Sequence, residues 1–272
     1  PAWNSTPQDF TALYPRCIAE IPTRGYGVFS RAHMFTLAAD DTLRPVKNPD
    51  PQQLDTLIGY ERERAQVIAN TEALLAGHPA NNILLYGDAG TGKSSTVKAL
   101  ANHFKGKGLR LVEVRKTQLG LIPRLMDTLG DNPLKFLLFI DDLSFAAHDT
   151  NFTQLKAVLE GSVVARPQNV VVYATSNRRH FINETFSQRQ GDDVHAADTR
   201  EEEASLAARF GITVTFLKPN RALYAQIVRA YAKQHRLELN ETELLAQAEQ
   251  YAIKQGGRTP RAAKQFVESA QA

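Results

Sequence analysis

Cysteine is nearly absent: Cys17 is the sole thiol in 272 residues, so no internal disulfide can form, and no Cys or His cluster offers a zinc site. Long apolar runs are missing as well. No stretch approaches the ~20 residues that a membrane-spanning helix needs, and the opening PAWNSTPQDF lacks the basic-then-apolar pattern of a secretory signal. The expected setting is the cytoplasm, with no membrane partner. No run of five lysines or arginines occurs, and a formal charge of +3 with a pI near 9.0 permits a nucleic-acid partner without indicating one. Internal repeats and low-complexity tracts are also lacking. What is there, 43% hydrophobic and 22% charged residues, suits a soluble chain with a sizeable core in one large or two modest domains.

Three changes of pattern organise the chain. Residues 1–52 are rich in proline and isolated aromatics, show no sustained helical period and end in the breaker-rich RPVKNPDPQQ, which predicts an N-terminal arm and a linker. Across 53–218, helical spacing through Leu74 and Leu75 gives way to five short apolar runs, NILLY, LRLVEV, KFLLFI, NVVVYAT and ITVTF, separated by helical stretches. Parallel strands need long crossovers and are buried on both faces. This alternation therefore predicts an α/β fold, a three-layer sandwich around a five-stranded parallel sheet. Residues 219–272 carry only helical apolar stripes, with Asn240 and Thr259 placed as helix starts, and predict a C-terminal helical lid.

The chemistry starts at LLYGDAGTGKSSTVKAL. Gly87, Gly92, Lys93 and Ser94 match the phosphate-loop pattern G-x-x-x-x-G-K-[ST], with an apolar strand before it and a helix-forming run after it. Gly87, Gly90 and Gly92 let the chain curl so that backbone N–H groups converge at the positive end of a helix, where triphosphate charge is stabilised. Asp88, Ala89, Thr91 and Ser95 complete the candidate nucleotide-binding residues, Lys93 reaches the β- and γ-phosphates, and Ser94 offers its hydroxyl to a metal. ATP and Mg²⁺ are the expected cofactors. Downstream, KFLLFIDDLSF ends an apolar strand in two carboxylates at the carboxyl edge of the sheet. Asp141 is the candidate metal partner, and Asp142 the candidate group that polarises the attacking water. Asn177, at the tip of NVVVYATSN, is placed to hydrogen-bond that water and the γ-phosphate, although asparagine at a strand end also forms ordinary turns.

Taken in order, GDAGTGKS, LFIDDLSF, YATSN, LAARFG and GGRTPRAAKQF resemble the Walker A, Walker B, sensor 1, arginine-finger and sensor 2 elements of an AAA+ ATPase, over about residues 54–272. As a whole the chain is most similar to a bacterial AAA+ family known only as a domain of unknown function. The resemblance implies further roles. The backbone near Ile58 and Gly59, in LIGYERER, would hold the adenine. Arg209 would reach into a neighbouring subunit's site, with Arg178 and Arg179 as rivals, and Arg261 would touch the γ-phosphate from the lid. A homo-oligomer acting on a macromolecular client is implied as well.

Two departures narrow that expectation. The region VRKTQLGLIPRLMDTL has no aromatic residue of the kind found in rings that thread polypeptides, and no helix-turn-helix pattern points to DNA. The polar segment FSQRQGDDVHAADTREEE, residues 186–203, is a loop insertion whose histidines and acids lack metal-ligand spacing. The expected activity is Mg²⁺-dependent ATP hydrolysis by an oligomeric remodelling or switch ATPase. The alternatives are a P-loop kinase for a small acceptor, told apart by acceptor dependence, and a nucleotide-gated binding module, told apart by turnover per site.

Overall fold

A computed structural model of the chain describes residues 10–143, 145–146, 150–160, 166–177, 182–183 and 206–271. Arg178, Arg179 and the segment 186–203 lie outside the described residues. The strands are β1 (Met34–Leu37), β2 (Leu43–Pro45), β3 (Ile83–Gly87), β4 (Leu109–Glu113), β5 (Lys135–Ile140), β6 (Phe145–Ala146), β7 (Val170–Asn177), β8 (Ile182–Asn183) and β9 (Ile212–Phe216). One sheet runs in the order β2-β1-β4-β5-β7-β3-β9, with every neighbouring pair parallel except β1 and β2, while β6 and β8 form a separate parallel pair.

The expected five-stranded sheet is therefore corrected to seven strands. The two extra strands come from the proline-rich segment before residue 52. Without β1, the edge of β4 would present unpaired N–H and C=O groups. Met34–Leu37 covers that edge in parallel register, Met34 opposite Leu111 and Thr36 opposite Glu113, and buries Phe35 completely. The Phe29 ring packs edge-on against both Phe35 and Phe136, which ties the N-terminal segment to the core.

The helices are α1 (Phe10–Arg24), α2 (Glu61–Leu75), α3 (Lys93–Phe104), α4 (Ile122–Gly130), α5 (Thr150–Glu160), α6 (Arg221–Gln234), α7 (Glu241–Lys254) and α8 (Pro260–Ala270). The alternation of the pleat sorts the central strands into two layers. On β5, Phe136, Leu138 and Ile140 pack with Ile122, Leu125 and Leu129 of α4, while Leu137 and Phe139 face the opposite way, toward Val67 of α2 and Val97, Leu100 and Phe104 of α3. The sheet is thus covered on both sides, as the α/β sandwich requires.

Helices α6, α7 and α8 hold a separate cluster around Tyr224, Ile227, Val228, Ala248, Phe266 and Val267. Each starts at a polar cap. The side chains of Asn220, Asn240 and Thr259 accept backbone N–H groups from Leu223, Thr242 and Ala262 at 2.8, 2.9 and 3.0 Å. Among the described residues no helix is long and apolar enough to cross a membrane.

Candidate functional site

The loop after β3 is shaped by close approach. Gly87 has φ +137°, and a Cβ there would fall 2.1 Å from the carbonyl oxygen of Phe216 on β9, so only glycine lets the chain leave the sheet at this point. Gly92, at φ +94°, precedes α3, which no side chain caps. The N–H groups of the first turn of α3 are consequently left for a ligand, at the positive end of the helix.

Two contacts join this loop to the lid. The Arg261 backbone N–H donates to the Gly90 carbonyl at 3.2 Å, and a Cβ on Gly90 would lie 3.3 Å from the Thr259 hydroxyl oxygen. The Asp88 carboxylate accepts the Lys218 backbone N–H at 2.9 Å, where the chain passes from β9 into the lid.

Lys93 is 6% exposed, and its ammonium donates to the carbonyl oxygens of Gly87 and Asp88 at 3.0 and 2.7 Å and to Asn177 Oδ1 at 3.1 Å. Burial pushes its pKa down to about 8, against the pull of the Asp88, Asp142 and Asp141 carboxylates. Across the cleft, Asp141 Oδ1 accepts from Ser94 Oγ and from Thr175 Oγ1, both at 2.6 Å. The same Thr175 oxygen accepts the Asp142 backbone N–H at 2.9 Å. Asp142 sits at φ +54°, unusual for a residue with a side chain, and its Oδ1 accepts from Asn177 Nδ2 at 2.7 Å. The Leu143 N–H closes the set on the Thr175 carbonyl at 2.7 Å. Thr175 thus fastens the acidic turn after β5 to the end of β7.

These groups line a cleft of about 680 Å³, a volume within the range of small-molecule sites. Ala89 through Ser95, Asp141, Asp142, Asn177 and Arg261 all face it, and so does Ile58. Gly87 and Asp88 lie behind the loop, where their carbonyls hold Lys93. Gly59 is turned away. A Cβ on it would meet Ile227 and Leu223 of α6, its N–H donates to Glu61, and its carbonyl accepts from Arg64. Arg209, at the end of a helical turn over 206–209 between buried Leu206 and Phe210, does not line the cleft.

The donor set fits a magnesium ion. Mg²⁺ takes hard oxygen ligands and keeps several waters, binding proteins through one or two oxygens. The adjoining Ser94 hydroxyl and Asp141 carboxylate are such oxygens, beside N–H groups suited to phosphate.

Two contributors are not singled out by the sequence motifs. One is Thr175, two residues before Asn177 on the same face of β7, a spacing that is its only sequence signal. The other is Arg64, 8% exposed, whose guanidinium donates to the Leu57 carbonyl at 2.9 Å and to that of Gly59, fixing the backbone on either side of Ile58.

Solved structures share the fold. The Thermotoga maritima RuvB Holliday junction branch migration motor superposes with a TM-score of 0.54 at 17% identity, over 80% of this chain and 63% of that one. AMPPCP-bound DnaA from Aquifex aeolicus gives 0.54 at 17% identity, over 82% and 66%. A DnaA bound to AMPPCP and single-stranded DNA gives 0.53 at 18%. The chain therefore spans about 63% of the length of the RuvB structure, and what it shares with these proteins is the fold. No curated protein matches it. The profile of the family described as "Protein of unknown function (DUF815)" matches residues 30–272, and the chain belongs to that family.

Proposed function

We propose that this chain is an ATPase of the AAA+ type, which binds ATP with Mg²⁺ in the cleft between loop, sheet and lid, hydrolyses it, and works in an oligomer on a macromolecular client. The observation that carries this reading is the convergence of the Ser94 hydroxyl and the Asp141 carboxylate, 2.6 Å apart, beside a buried lysine at an uncapped helix N-terminus. A magnesium ion bound there would neutralise charge on the β- and γ-phosphates. The loop N–H groups hold the phosphates, and Lys93 adds the cation whose burial they would offset. Asp142 accepts the proton of the attacking water and Asn177 orients that water, a pairing supported by their 2.7 Å hydrogen bond. Ile58, with Leu57 and Tyr231 at the same cleft, offers the apolar wall against which a base would pack. Arg261 on α8 serves the γ-phosphate of its own subunit, and Arg209, away from its own cleft, serves a neighbour's.

Calorimetry with ATP and Mg²⁺ tests this. Lys93→Ala removes the one lysine bonded within the loop and is expected to weaken ATP binding roughly 10- to 100-fold, the range for lost hydrogen bonds to charged groups. Unchanged affinity would refute the assignment.

A further inference from the structure

At the end of the sheet remote from the nucleotide loop, where β1 and β4 begin, a second crevice of about 290 Å³ opens between the N-terminal segment and the core. The two ends are separated by the length of the strands, ~17 Å for five residues. Every ionisable side chain that lines the crevice is basic: Arg24, Arg31 and His33 from the N-terminal segment, Lys105 and Arg110 from the core. The hydroxyl-bearing Thr23 and Ser30 line it as well.

Arg110 is the fixed element of the crevice. Only 4% exposed, it donates to the carbonyl oxygens of Phe29, Lys105, Leu109 and Arg24 at 2.8, 3.0, 2.9 and 2.7 Å. Two of those carbonyls, Arg24 and Lys105, stand at the C-terminal ends of α1 and α3, so helix dipoles offset part of its charge. They are not a counter-ion. Burial alone acts on the guanidinium, pushing its pKa down, and buried charge is normally met by opposite charge. Around it, Arg24 pairs with Glu20 at 3.3 Å on the exposed face of α1, whereas neither Arg31 nor Lys105 makes an ion pair among the described residues. A concave wall carrying one sign of charge concentrates its field on whatever enters.

The geometry points to a second oxyanion site in this crevice, which takes a phosphoryl group between the N-terminal segment and the α3–β4 turn, independently of the nucleotide cleft. A tetrahedral phosphate presents oxygens in several directions, which suits cations from both walls; the Thr23 and Ser30 hydroxyls already donate to the Glu20 and Gly27 carbonyls. A planar carboxylate is satisfied by one guanidinium. The phosphoryl group comes either from a small free phosphate or from the phosphodiester backbone of a nucleic acid.

Gly106 allows a clean test, because it lines the crevice and a Cβ there would meet nothing within 4 Å. Gly106→Glu therefore brings a carboxylate to the site at little steric cost. With Lys93→Ala as background, so that the nucleotide loop is weakened, pyrophosphate and a fluorescent single-stranded oligonucleotide are titrated by calorimetry and anisotropy. Saturable binding of either probe, weakened at least about tenfold by Gly106→Glu and likewise by Arg31→Ser, is expected, one lost ionic hydrogen bond accounting for that factor. Pyrophosphate alone assigns a small phosphate, and oligonucleotide binding with a steep salt dependence assigns a backbone. Binding of neither probe, or equal binding by Gly106→Glu, overturns the proposal. ATP hydrolysis by Gly106→Glu with intact Lys93 should match that of the unaltered chain, so failure here and failure of the ATPase reading are separable.

Discussion

At the residue scale, Thr175 decides more of the site than its neighbours in the motif. Its single hydroxyl proton goes to Asp141, and its oxygen receives the N–H of Asp142, so one side chain sets the spacing of two carboxylates. Valine has nearly the same shape and no hydroxyl. Thr175→Val leaves the Asp142 N–H without its acceptor and Asp141 with one donor fewer, and groups that orient metal ligands are typically worth 10- to 100-fold in metal affinity. The expected result is a roughly tenfold rise in the Mg²⁺ concentration needed for tight nucleotide binding, read by calorimetry across a Mg²⁺ series. Thr175→Ser should stay close to the unaltered chain. Equal Mg²⁺ midpoints for Val and Thr would mean that the hydroxyl only packs.

At the scale of elements, α8 begins at a junction. Thr259 caps its first turn through the Ala262 N–H at 3.0 Å, and its hydroxyl faces Gly90 of the loop. Thr259→Ala should cost about 1 kcal/mol of local stability, seen as several-fold faster hydrogen exchange at the Ala262 amide. Unchanged exchange would place the anchoring of α8 elsewhere. How far such elements are legible in the sequence depends on how local their causes are. The strands β5 and β7 read clearly because burial on both faces makes KFLLFI and VVVYAT nearly continuous apolar runs. Capping is legible for Asn240 and Thr259 for the same reason, since each cap bonds within its own first turn. MFTL in β1 is only four residues long and pairs on one side with the three-residue, proline-ended β2 and on the other with distant residues 111–113, so its own pattern does not mark it as part of the sheet. In the site, Lys93 and Ser94 belong to a contiguous motif, whereas the role of Thr175 exists only where β7 passes the turn after β5.

At the scale of the whole molecule, the placing of Arg209 away from its own cleft makes a prediction about copies of the chain. Arg209→Ala should still bind ATP yet lose hydrolysis by about three orders of magnitude, the low end for residues of this kind. Asp142→Asn should be inactive for a different reason, a defect in its own site. Mixed together, the two inactive proteins form some interfaces that pair an intact site with an intact Arg209, so part of the activity returns in a steady-state assay. If mixed oligomers form and remain inactive, Arg209 does not act between subunits, and Arg178 and Arg179 inherit the test. The seven-stranded sheet has a further effect on what a minimal version of this protein can be. Patterning alone suggests trimming the chain to residue 53, but β1 and β2 would go with the trimmed segment. Leu109–Glu113, whose first four residues are buried in the intact chain, would then become an open border of the sheet, ready to pair with another copy of itself. The shortened chain would thus aggregate through its own backbone, although every residue of the nucleotide loop would still be present.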